Sequence, residues 1–194
     1  MTFDELTVLM PGVEQASQMT TAWWLAHQVR QLALDFTIAS PICVEVGTWC
    51  GFTAAAMAHA GGLVVCVDTF DGRDEQMRQR AAELGGSSLE RFLANGLALT
   101  SGRMIAVVGK SPEIARLLPA GCAHLIFVDA DHSKEAVTAD LDAWGERVKA
   151  RGVLCGHDCR QKDVRDAVNA YATRHGWPLV TDGPDSTWWM RRPA

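Results

Sequence analysis

The stretch Ile42-Cys-Val-Glu-Val-Gly-Thr-Trp-Cys-Gly-Phe-Thr53 decides the fold of this chain. It begins with an apolar run, Ile42 to Val46, which is typical of a buried strand in a parallel sheet. A Gly-x-x-x-Gly turn follows, from Gly47 to Gly51, and an alanine-rich segment that favours a helix comes next. A strand, a glycine turn and a helix in this order predict an α/β fold whose turn binds a nucleotide-like ligand.

Glu45 narrows the class of ligand that this turn can bind. The spacing lacks the Gly-x-Gly-x-x-Gly of a dinucleotide site, and a buried carboxylate just before Gly47 would repel a pyrophosphate. The same carboxylate suits a cationic or amino-bearing ligand, which points away from NAD and toward S-adenosylmethionine. An ordinary turn between a strand and a helix is the alternative.

The second predicted strand, Leu63 to Asp68, ends in an acid about twenty residues after the glycine turn. In this architecture a carboxylate at the tip of the second strand accepts hydrogen bonds from two ribose hydroxyls. The alternative for Asp68 is a helix cap or an ordinary loop aspartate. The glycine turn at matching spacing favours the ribose role.

The rest of the chain continues the alternation of strands and helices. Further strands are predicted at 104–108, 124–129 and 153–156, and helices at 14–34, 73–84, 87–99, 112–118, 134–150 and 163–175. Residues 177–181 and 187–191 predict a final antiparallel hairpin. Together these elements predict a doubly wound, Rossmann-like, mostly parallel sheet with a C-terminal antiparallel hairpin. We expect a single domain over 1–194, with an N-terminal helical arm over 1–40 and a cofactor-binding core over 41–194.

Composition excludes several classes of protein. The chain has 194 residues, a net charge of −5 and no basic run, which argues against nucleic-acid binding. No apolar stretch approaches the ~20 residues that cross a bilayer, and the N-terminus lacks a signal-peptide pattern, so we expect a cytoplasmic protein without a membrane segment. Six scattered cysteines are typical of reduced thiols, and no second cysteine pair completes a zinc site at Cys155-Gly-His-Asp-Cys159.

Polar side chains follow the predicted strands at their carboxyl ends, where an open parallel sheet binds its ligands. Asp129 ends the fourth strand and His157-Asp158 end the fifth, so these three side chains are expected to meet. Two carboxylates and an imidazole are reasonable ligands for Mg²⁺, Mn²⁺ or another divalent ion. A helix-capping aspartate and an ordinary loop histidine are the alternatives, but the conjunction of the three residues favours a metal site.

Three motifs together resemble those of a known family: Val44-Glu-Val-Gly-Thr-Trp-Cys-Gly-Phe-Thr53, Phe127-Val-Asp-Ala-Asp-His-Ser133 and Gly152-Val-Leu-Cys-Gly-His-Asp158. Over roughly residues 40–192 the sequence is similar to class I S-adenosylmethionine-dependent methyltransferases. Within them it is similar to the small-molecule O-methyltransferase group called methyltransferase domain 24, with catechol, caffeoyl-CoA and macrolide-sugar enzymes as relatives. The resemblance implies metal-assisted methyl transfer from S-adenosylmethionine to a hydroxyl of a small molecule.

The resemblance also implies roles for individual residues. The residues expected at the cofactor are Glu45, Gly47, Trp49, Gly51, Thr53, Asp68, Ser111 and Asp129, with Asp68 on the ribose and Ser111 beside the adenine. Asp129, His157 and Asp158 fall on the metal-ligand positions of the metal-dependent relatives. Those relatives usually have Asp-Asp or Asp-Asn where this chain has His157-Asp158, so metal dependence follows less directly than cofactor binding.

Two residues are candidates for the catalytic base. His132 lies at the catalytic lysine position of the catechol enzyme, and Asp131 aligns with the base proposed for the sugar-modifying enzymes. If His132 is the base, the rate should climb through an apparent pKa of roughly 6–7. If Asp131 is the base, Asp131→Asn should cost ~10²–10⁴-fold in rate while His132→Gln is mild. The shared Asp-x-Asp spacing favours Asp131.

Two other functions are compatible with the sequence. One is a cofactor-binding regulatory protein that keeps the pocket without turnover, for which the histidine at 157 leaves room. The other is a different reaction on the same fold, such as aminopropyl transfer or hydroxylation, because a fold does not fix a function. The sequence does not identify the methyl acceptor. An N-terminal arm with two tryptophans, Trp23 and Trp24, suits a homodimer contact.

Overall fold

The computed structural model of the chain describes residues 16–72, 75–83 and 85–194. Its strands are β1 (Ile42–Val46), β2 (Leu63–Asp68), β3 (Met104–Val108), β4 (Ala123–Val128), β5 (Val148–Gly156), β6 (Leu179–Val180) and β7 (Trp188–Arg191). Its helices are α1 (Ala16–Phe36), α2 (Phe52–His59), α3 (Glu75–Glu83), α4 (Ser88–Thr100), α5 (Ser111–Leu117), α6 (Lys134–Gly145) and α7 (Lys162–His175), with a 3₁₀ turn at Pro184–Ser186. The start of the predicted N-terminal arm and the predicted helix ends at 14–15, 73–74 and 84 lie outside the described residues.

The strands form one sheet in the order β3-β2-β1-β4-β5-β7-β6. Strands β1 to β5 pair in parallel, whereas β7 is antiparallel to both of its neighbours, β5 and β6. The chain proceeds outward from β1 through β2 and β3, and then on the other side through β4 and β5. The order therefore reverses between β1 and β4, which is where such sheets bind their ligands. The predicted Rossmann-like sheet with an antiparallel C-terminal hairpin is confirmed.

Successive side chains along each strand point to opposite faces of the sheet, so the core has two layers, one on each face. Every residue of β4 is buried, as expected of a central parallel strand. Ile126 packs with Trp144 of α6 on one face, while Leu125 and Phe127 pack with Met57 of α2 on the other. Each such side chain stabilises the fold by about 1.5–3 kcal/mol when fully buried. Helices on both faces thus hold the central strands, and the ligand-binding edge, in fixed positions.

Local signals set several helix ends close to their predicted places. Ser87 and Glu90 form a capping box in which each side chain accepts a hydrogen bond from the other residue's backbone N–H, and α4 begins there. Gly61 has a φ of +105°, and the backbone N–H of Gly62 donates to Met57, which ends α2.

The predicted boundary between helix α6 and strand β5 was wrong. The expected helix over 134–150 ends at Gly145, and β5 begins at Val148 rather than at 153. Val148 is fully buried and pairs with Ala123, and the register shifts before the next pair, Leu125 with Val153. Pairing of a β-branched residue with a neighbouring strand therefore overrides the local helical pattern.

Most of the cysteines are buried in the fold. All six cysteines are free, and burial raises the pKa of Cys43 and of Cys50 to about 12, so both stay protonated and pack as small apolar side chains. Within the described part of the chain, no helix combines the length and the apolar character that crossing a membrane requires.

Candidate active site

The turn between β1 and α2 makes contacts that only glycine permits. Gly47 has a φ of +83°, and a Cβ there would lie 2.3 Å from the carbonyl oxygen of Asp129 and 2.6 Å from Cα of Ala130. Gly51 has the same φ, and its Cβ would lie 2.8 Å from the ring of Phe92. The neighbours of Gly47 are backbone atoms, which cannot move aside easily. Gly47 therefore brings the glycine turn directly against the segment that follows β4.

Glu45 lies completely buried beneath this turn. Its two carboxylate oxygens accept hydrogen bonds from the hydroxyls of Thr48 and Thr53. Burial raises its pKa to about 8, and the carboxylates of Asp129 and Asp68 act in the same direction. Glu45 thus connects Thr48 in the turn to Thr53 at the start of α2 through its two carboxylate oxygens. Direct contact of Glu45 or Thr53 with a cofactor stays a prediction.

Asp68 lies at the end of β2, beside the same turn. Its Oδ2 accepts a hydrogen bond of 2.8 Å from the backbone N–H of Trp49, and its Oδ1 accepts one of 2.8 Å from that of Phe70. These two bonds fix the orientation of the carboxylate. Each oxygen retains a further lone pair, and the residue is partly exposed. Asp68 is therefore able to accept hydrogen bonds from hydroxyls of a ligand.

Two buried donors near the turn have no hydrogen-bond partner among the described residues: Trp49 Nε1 and Arg91 Nε. Trp49 lines a cleft of about 290 Å³ together with Phe70 and Ser87. Arg91 follows Ser87 by one turn of α4, and its backbone N–H donates to the Ser87 carbonyl. An unpaired buried donor costs about 1–3 kcal/mol, so a ligand with acceptor groups would stabilise this region. S-adenosylmethionine carries a carboxylate and ribose hydroxyls, and the donor set fits it.

Ser111, expected beside the adenine, makes its side-chain contacts inside the fold. Its hydroxyl donates to Oδ1 of Asp140 at 2.5 Å and accepts from Nε1 of Trp144 at 2.7 Å. Asp140 is buried, and burial raises its pKa to about 6. The hydroxyl thus connects the start of α5 to α6. A place for Ser111 at the adenine stays a prediction.

Asp129, His132 and Asp158 come together beyond the ends of β4 and β5. Their possible ligand atoms lie within 4.8 Å of one another, and His132 Nε2 is 3.7 Å from Asp129 Oδ1 and 3.1 Å from Asp158 Oδ2. These two carboxylates raise the pKa of His132 to about 10. His132, followed by His157, holds the pKa of Asp158 well below its usual range. Two carboxylates and an imidazole, each partly open to solvent, are a donor set that fits a divalent cation.

His157, predicted as the third metal ligand, lies in a different arrangement. Its Nδ1 is 3.1 Å from Asp158 Oδ2, and its Nε2 is 3.1 Å from Asp185 Oδ2. Burial alone would lower the pKa of His157, but Asp158, Asp129 and Asp185 outweigh that effect and raise it to about 9. Both ring nitrogens therefore face carboxylates. The sequence did not identify Asp185, because it lies in the hairpin loop and belongs to no motif.

Asp131 and His132, the two candidate bases, have different surroundings. The Asp131 side chain is exposed, and its Oδ1 accepts a hydrogen bond of 2.8 Å from the backbone N–H of Ser133, the residue that caps α6. His132 instead contacts two carboxylates of the cluster. The structure thus places Asp131 on the same edge of the sheet, with its carboxylate held in a turn and open to solvent.

Comparison with known proteins extends these observations. The sequence profile of a family described as a methyltransferase domain matches residues 44–159. The O-methyltransferase NovP has a similar structure, with a TM-score of 0.69 and 16% identity over 91% of this chain and 81% of that chain. CalS11, a TDP-rhamnose 3'-O-methyltransferase of calicheamicin biosynthesis, gives 0.63 and 20% over 98% and 87%. An rRNA methylase from Streptococcus thermophilus gives 0.60 and 12% over 94% and 99%. These likenesses show a shared fold, and a fold does not decide the acceptor.

Proposed function

The chain belongs to the methyltransferase domain family, and on that premise we propose that it transfers the methyl group of S-adenosylmethionine to a hydroxyl of a small molecule. One observation carries the proposal: Gly47 packs against the backbone of Asp129 and Ala130. The glycine turn and the Asp129–His132–Asp158 cluster are therefore neighbours at one edge of the sheet. A methyl donor bound at the turn and an acceptor bound at the cluster would lie side by side.

In the proposed reaction, the acceptor oxygen attacks the methyl carbon in line with the carbon–sulfur bond. The new carbon–oxygen bond forms as the carbon–sulfur bond breaks. The electron pair of the carbon–sulfur bond stays on sulfur, and S-adenosylhomocysteine is the leaving group. The hydroxyl proton passes to a base. Such a reaction needs two reactants held in line and one proton acceptor, and it needs no covalent enzyme intermediate.

The residues around the turn would bind the cofactor. Asp68 would accept hydrogen bonds from the ribose hydroxyls, and Trp49 and Arg91 would donate to acceptor atoms of the ligand through their unpaired N–H groups. Glu45 would act indirectly, by holding Thr48 and Thr53 in place. Several carboxylates at this edge also suit a ligand with a sulfonium charge.

Asp129, Asp158 and an imidazole would hold a divalent cation, which supplies acidification and orientation of the acceptor hydroxyl when bound. Asp131 would take the proton. Its side chain is exposed on the same edge, and the backbone N–H of Ser133 donates a hydrogen bond to its Oδ1 and fixes its position. His132 lies between two carboxylates, which makes it the less suitable proton acceptor.

A cofactor-binding protein without turnover is the second candidate, and one observation favours it. The His132 imidazole already contacts both Asp129 and Asp158, so the two carboxylates are partnered within the chain. A protein in which this contact persists would bind S-adenosylmethionine and lack a cation to activate an acceptor.

The names of NovP and CalS11 support a hydroxyl acceptor, since each is named as an O-methyltransferase, and the TDP-rhamnose in the name of CalS11 supports a small molecule. The net charge of −5 and the absence of a basic run argue against an RNA acceptor.

A turnover assay tests the function. The protein is incubated with S-adenosylmethionine, Mn²⁺ or Mg²⁺, and a panel of sugars, catechols and other hydroxylated molecules, and mass spectrometry follows S-adenosylhomocysteine and the methylated product. We expect both products with at least one acceptor, and loss of turnover in EDTA. Tight S-adenosylhomocysteine binding without any methylated product would favour the regulatory protein, and full turnover in EDTA would exclude metal assistance. Methylation of ribosomal RNA alone would contradict the small-molecule acceptor.

Asp68→Ala should weaken S-adenosylhomocysteine binding at least about tenfold, because each lost hydrogen bond to the carboxylate contributes ~1.5–3 kcal/mol. Isothermal titration calorimetry measures the change. Asp182→Ala is the matched control, since it removes one exposed carboxylate from the hairpin loop and should leave the affinity unchanged. Equal affinities of Asp68→Ala and the unmodified protein would remove Asp68 from the cofactor site.

A further inference from the structure

We propose that the two histidines at this edge have separate roles: His132 is a direct ligand of the divalent cation through Nε2, and His157 is a positioning residue that Asp185 holds against Asp158. This assignment rests on the proposed metal-assisted function. It puts His132, a candidate base in the sequence analysis, in the ligand role predicted there for His157. It adds Asp185, in the loop between β6 and β7, to the machinery of the site.

A continuous series of contacts carries the assignment. Asp185 Oδ2 lies 3.1 Å from His157 Nε2, and His157 Nδ1 lies 3.1 Å from Asp158 Oδ2. The same oxygen of Asp158 lies 3.1 Å from Nε2 of His132. Both nitrogens of His157 therefore face carboxylates, so the ring has a protein partner on each side. His132 approaches the two carboxylates of the cluster with one nitrogen only.

The exposed fractions of the two histidine side chains also distinguish a cation ligand from a positioning residue. The His132 side chain is 41% exposed and the His157 side chain 18% exposed. The ligand atoms of Asp129, His132 and Asp158 lie within 4.8 Å of one another, so a small rotation of each side chain brings them around one ion. A cation arriving from solvent meets His132, whereas His157 lies deeper, between β5 and the hairpin loop.

The backbone around Asp185 shows that its position is specified by the fold. Asp158, Asp185 and Ser186 all have positive φ, of 61°, 52° and 70°, which non-glycine residues rarely adopt. Ser186 ties the two loops together, because its carbonyl accepts from the Cys159 N–H and its hydroxyl accepts from the Arg160 N–H. Strained conformations of this kind persist where the surrounding contacts determine them, and they cluster at functional sites.

Asp185 thereby holds the His157 ring in one orientation, from the side opposite Asp158. A ring that is bonded on both sides has a fixed orientation, and it fixes Asp158 in turn, as outer partners commonly do for metal ligands. With the His157 ring held between two carboxylates, His132 supplies the third protein ligand beside Asp129 and Asp158. An imidazole ligand shifts the preferred ion from Mg²⁺ toward Mn²⁺ or a later first-row ion.

Pulsed electron paramagnetic resonance of bound Mn²⁺ tests the ligand assignment on the full-length protein. A directly bound imidazole nitrogen produces a ¹⁴N coupling, which we expect in the unmodified protein and in His157→Gln. His132→Gln should lose that coupling and bind Mn²⁺ ~10–100-fold more weakly. A coupling that survives His132→Gln and disappears in His157→Gln would overturn the proposal, and so would bound Mn²⁺ without any ¹⁴N coupling in the unmodified protein.

A double-mutant cycle tests Asp185, with Mn²⁺ affinity measured by calorimetry. Asp185→Asn should weaken Mn²⁺ binding about tenfold in the unmodified background and have no further effect in a His157→Gln background. Asp182→Asn is the matched control, because it removes an exposed carboxylate from the same loop. Equal effects of Asp182→Asn and Asp185→Asn, or a full effect of Asp185→Asn without His157, would show that Asp185 does not act through His157. Thermal melting of each variant confirms that the fold is retained.

These outcomes are separable from the fate of the proposed methyl transfer. Methylated product formed in EDTA would leave methyl transfer standing and exclude metal assistance, whereas a ¹⁴N coupling that does not depend on His132 would overturn the ligand assignment. A ¹⁴N coupling that depends on His132, in a protein that methylates no acceptor, would support the assignment and contradict the proposed reaction.

Discussion

Asp131→Asn should lower the turnover of methyl transfer by ~10²–10⁴-fold, the range typical of a lost general base. An amide cannot take the acceptor proton, but its oxygen can still accept the hydrogen bond from the Ser133 N–H, so the turn into α6 is preserved. The side chain is exposed, and the substitution should therefore not change stability or S-adenosylhomocysteine affinity. Initial rates with a methyl acceptor identified in the turnover assay, together with calorimetry, measure both quantities.

His132→Gln separates a base from a metal ligand. If His132 binds the cation, the rate of this variant should recover as Mn²⁺ is raised, whereas the rate of Asp131→Asn should not. A variant pair in which Asp131→Asn keeps most activity and His132→Gln stays inactive at every Mn²⁺ concentration would identify His132 as the base. If neither substitution lowers turnover, the proton leaves to solvent.

Gly47→Ala should lower the free energy of unfolding by ~2–5 kcal/mol, because it combines a strained backbone with a steric conflict. The φ of +83° disfavours alanine, and the new methyl group would lie 2.3 Å from the carbonyl oxygen of Asp129 and 2.6 Å from Cα of Ala130. Relief of that conflict requires the glycine turn and the segment after β4 to separate. We therefore also expect weaker Mn²⁺ binding, since Asp129 belongs to the cluster. Denaturation in urea and calorimetry measure the two effects.

Gly102→Ala is the matched control for this substitution. Gly102 has a φ of +80°, almost that of Gly47, and within 16–72, 75–83 and 85–194 no heavy atom beyond its own and those of its chain neighbours lies within 4 Å of the position of its Cβ. The two variants share the conformational strain, which costs about 1–2 kcal/mol, and differ in the steric conflict. If both variants lose the same free energy of unfolding, the close approach of the turn to Asp129 contributes nothing to the destabilisation of Gly47→Ala.

The sheet was predictable from the sequence because the signals that specify it are local. The apolar runs at 42–46 and 63–68, bounded by the glycine turn and by Asp68, correspond to β1 and β2. Side-chain contacts across a parallel sheet bury such runs on both faces, so their position in the sheet follows from composition and order. The meeting of Asp129 with Asp158 follows from the same rule, since the ends of adjacent parallel strands share one edge.

The start of β5 and the partner of Ser111 depended on contacts with distant parts of the chain. Val148 joins the sheet because it pairs with Ala123, and the local sequence alone favours continuation of the helix. The Ser111 hydroxyl is engaged by Asp140 and Trp144, which lie about thirty residues away, and no spacing rule relates them.

The orientations of the two histidine side chains were decided by tertiary structure alone. Sequence placed His157 at a strand end next to Asp158, and either orientation of its ring agrees with that position. The positive φ of Asp158 and the approach of Asp185 from the hairpin loop, 28 residues away, direct both ring nitrogens of His157 to carboxylates. The direction of a side chain after a strand depends on backbone dihedrals and on neighbours that are remote in sequence. Residue types and their order therefore determined which groups gather at this edge of the sheet, and only the folded chain determined which of them face each other.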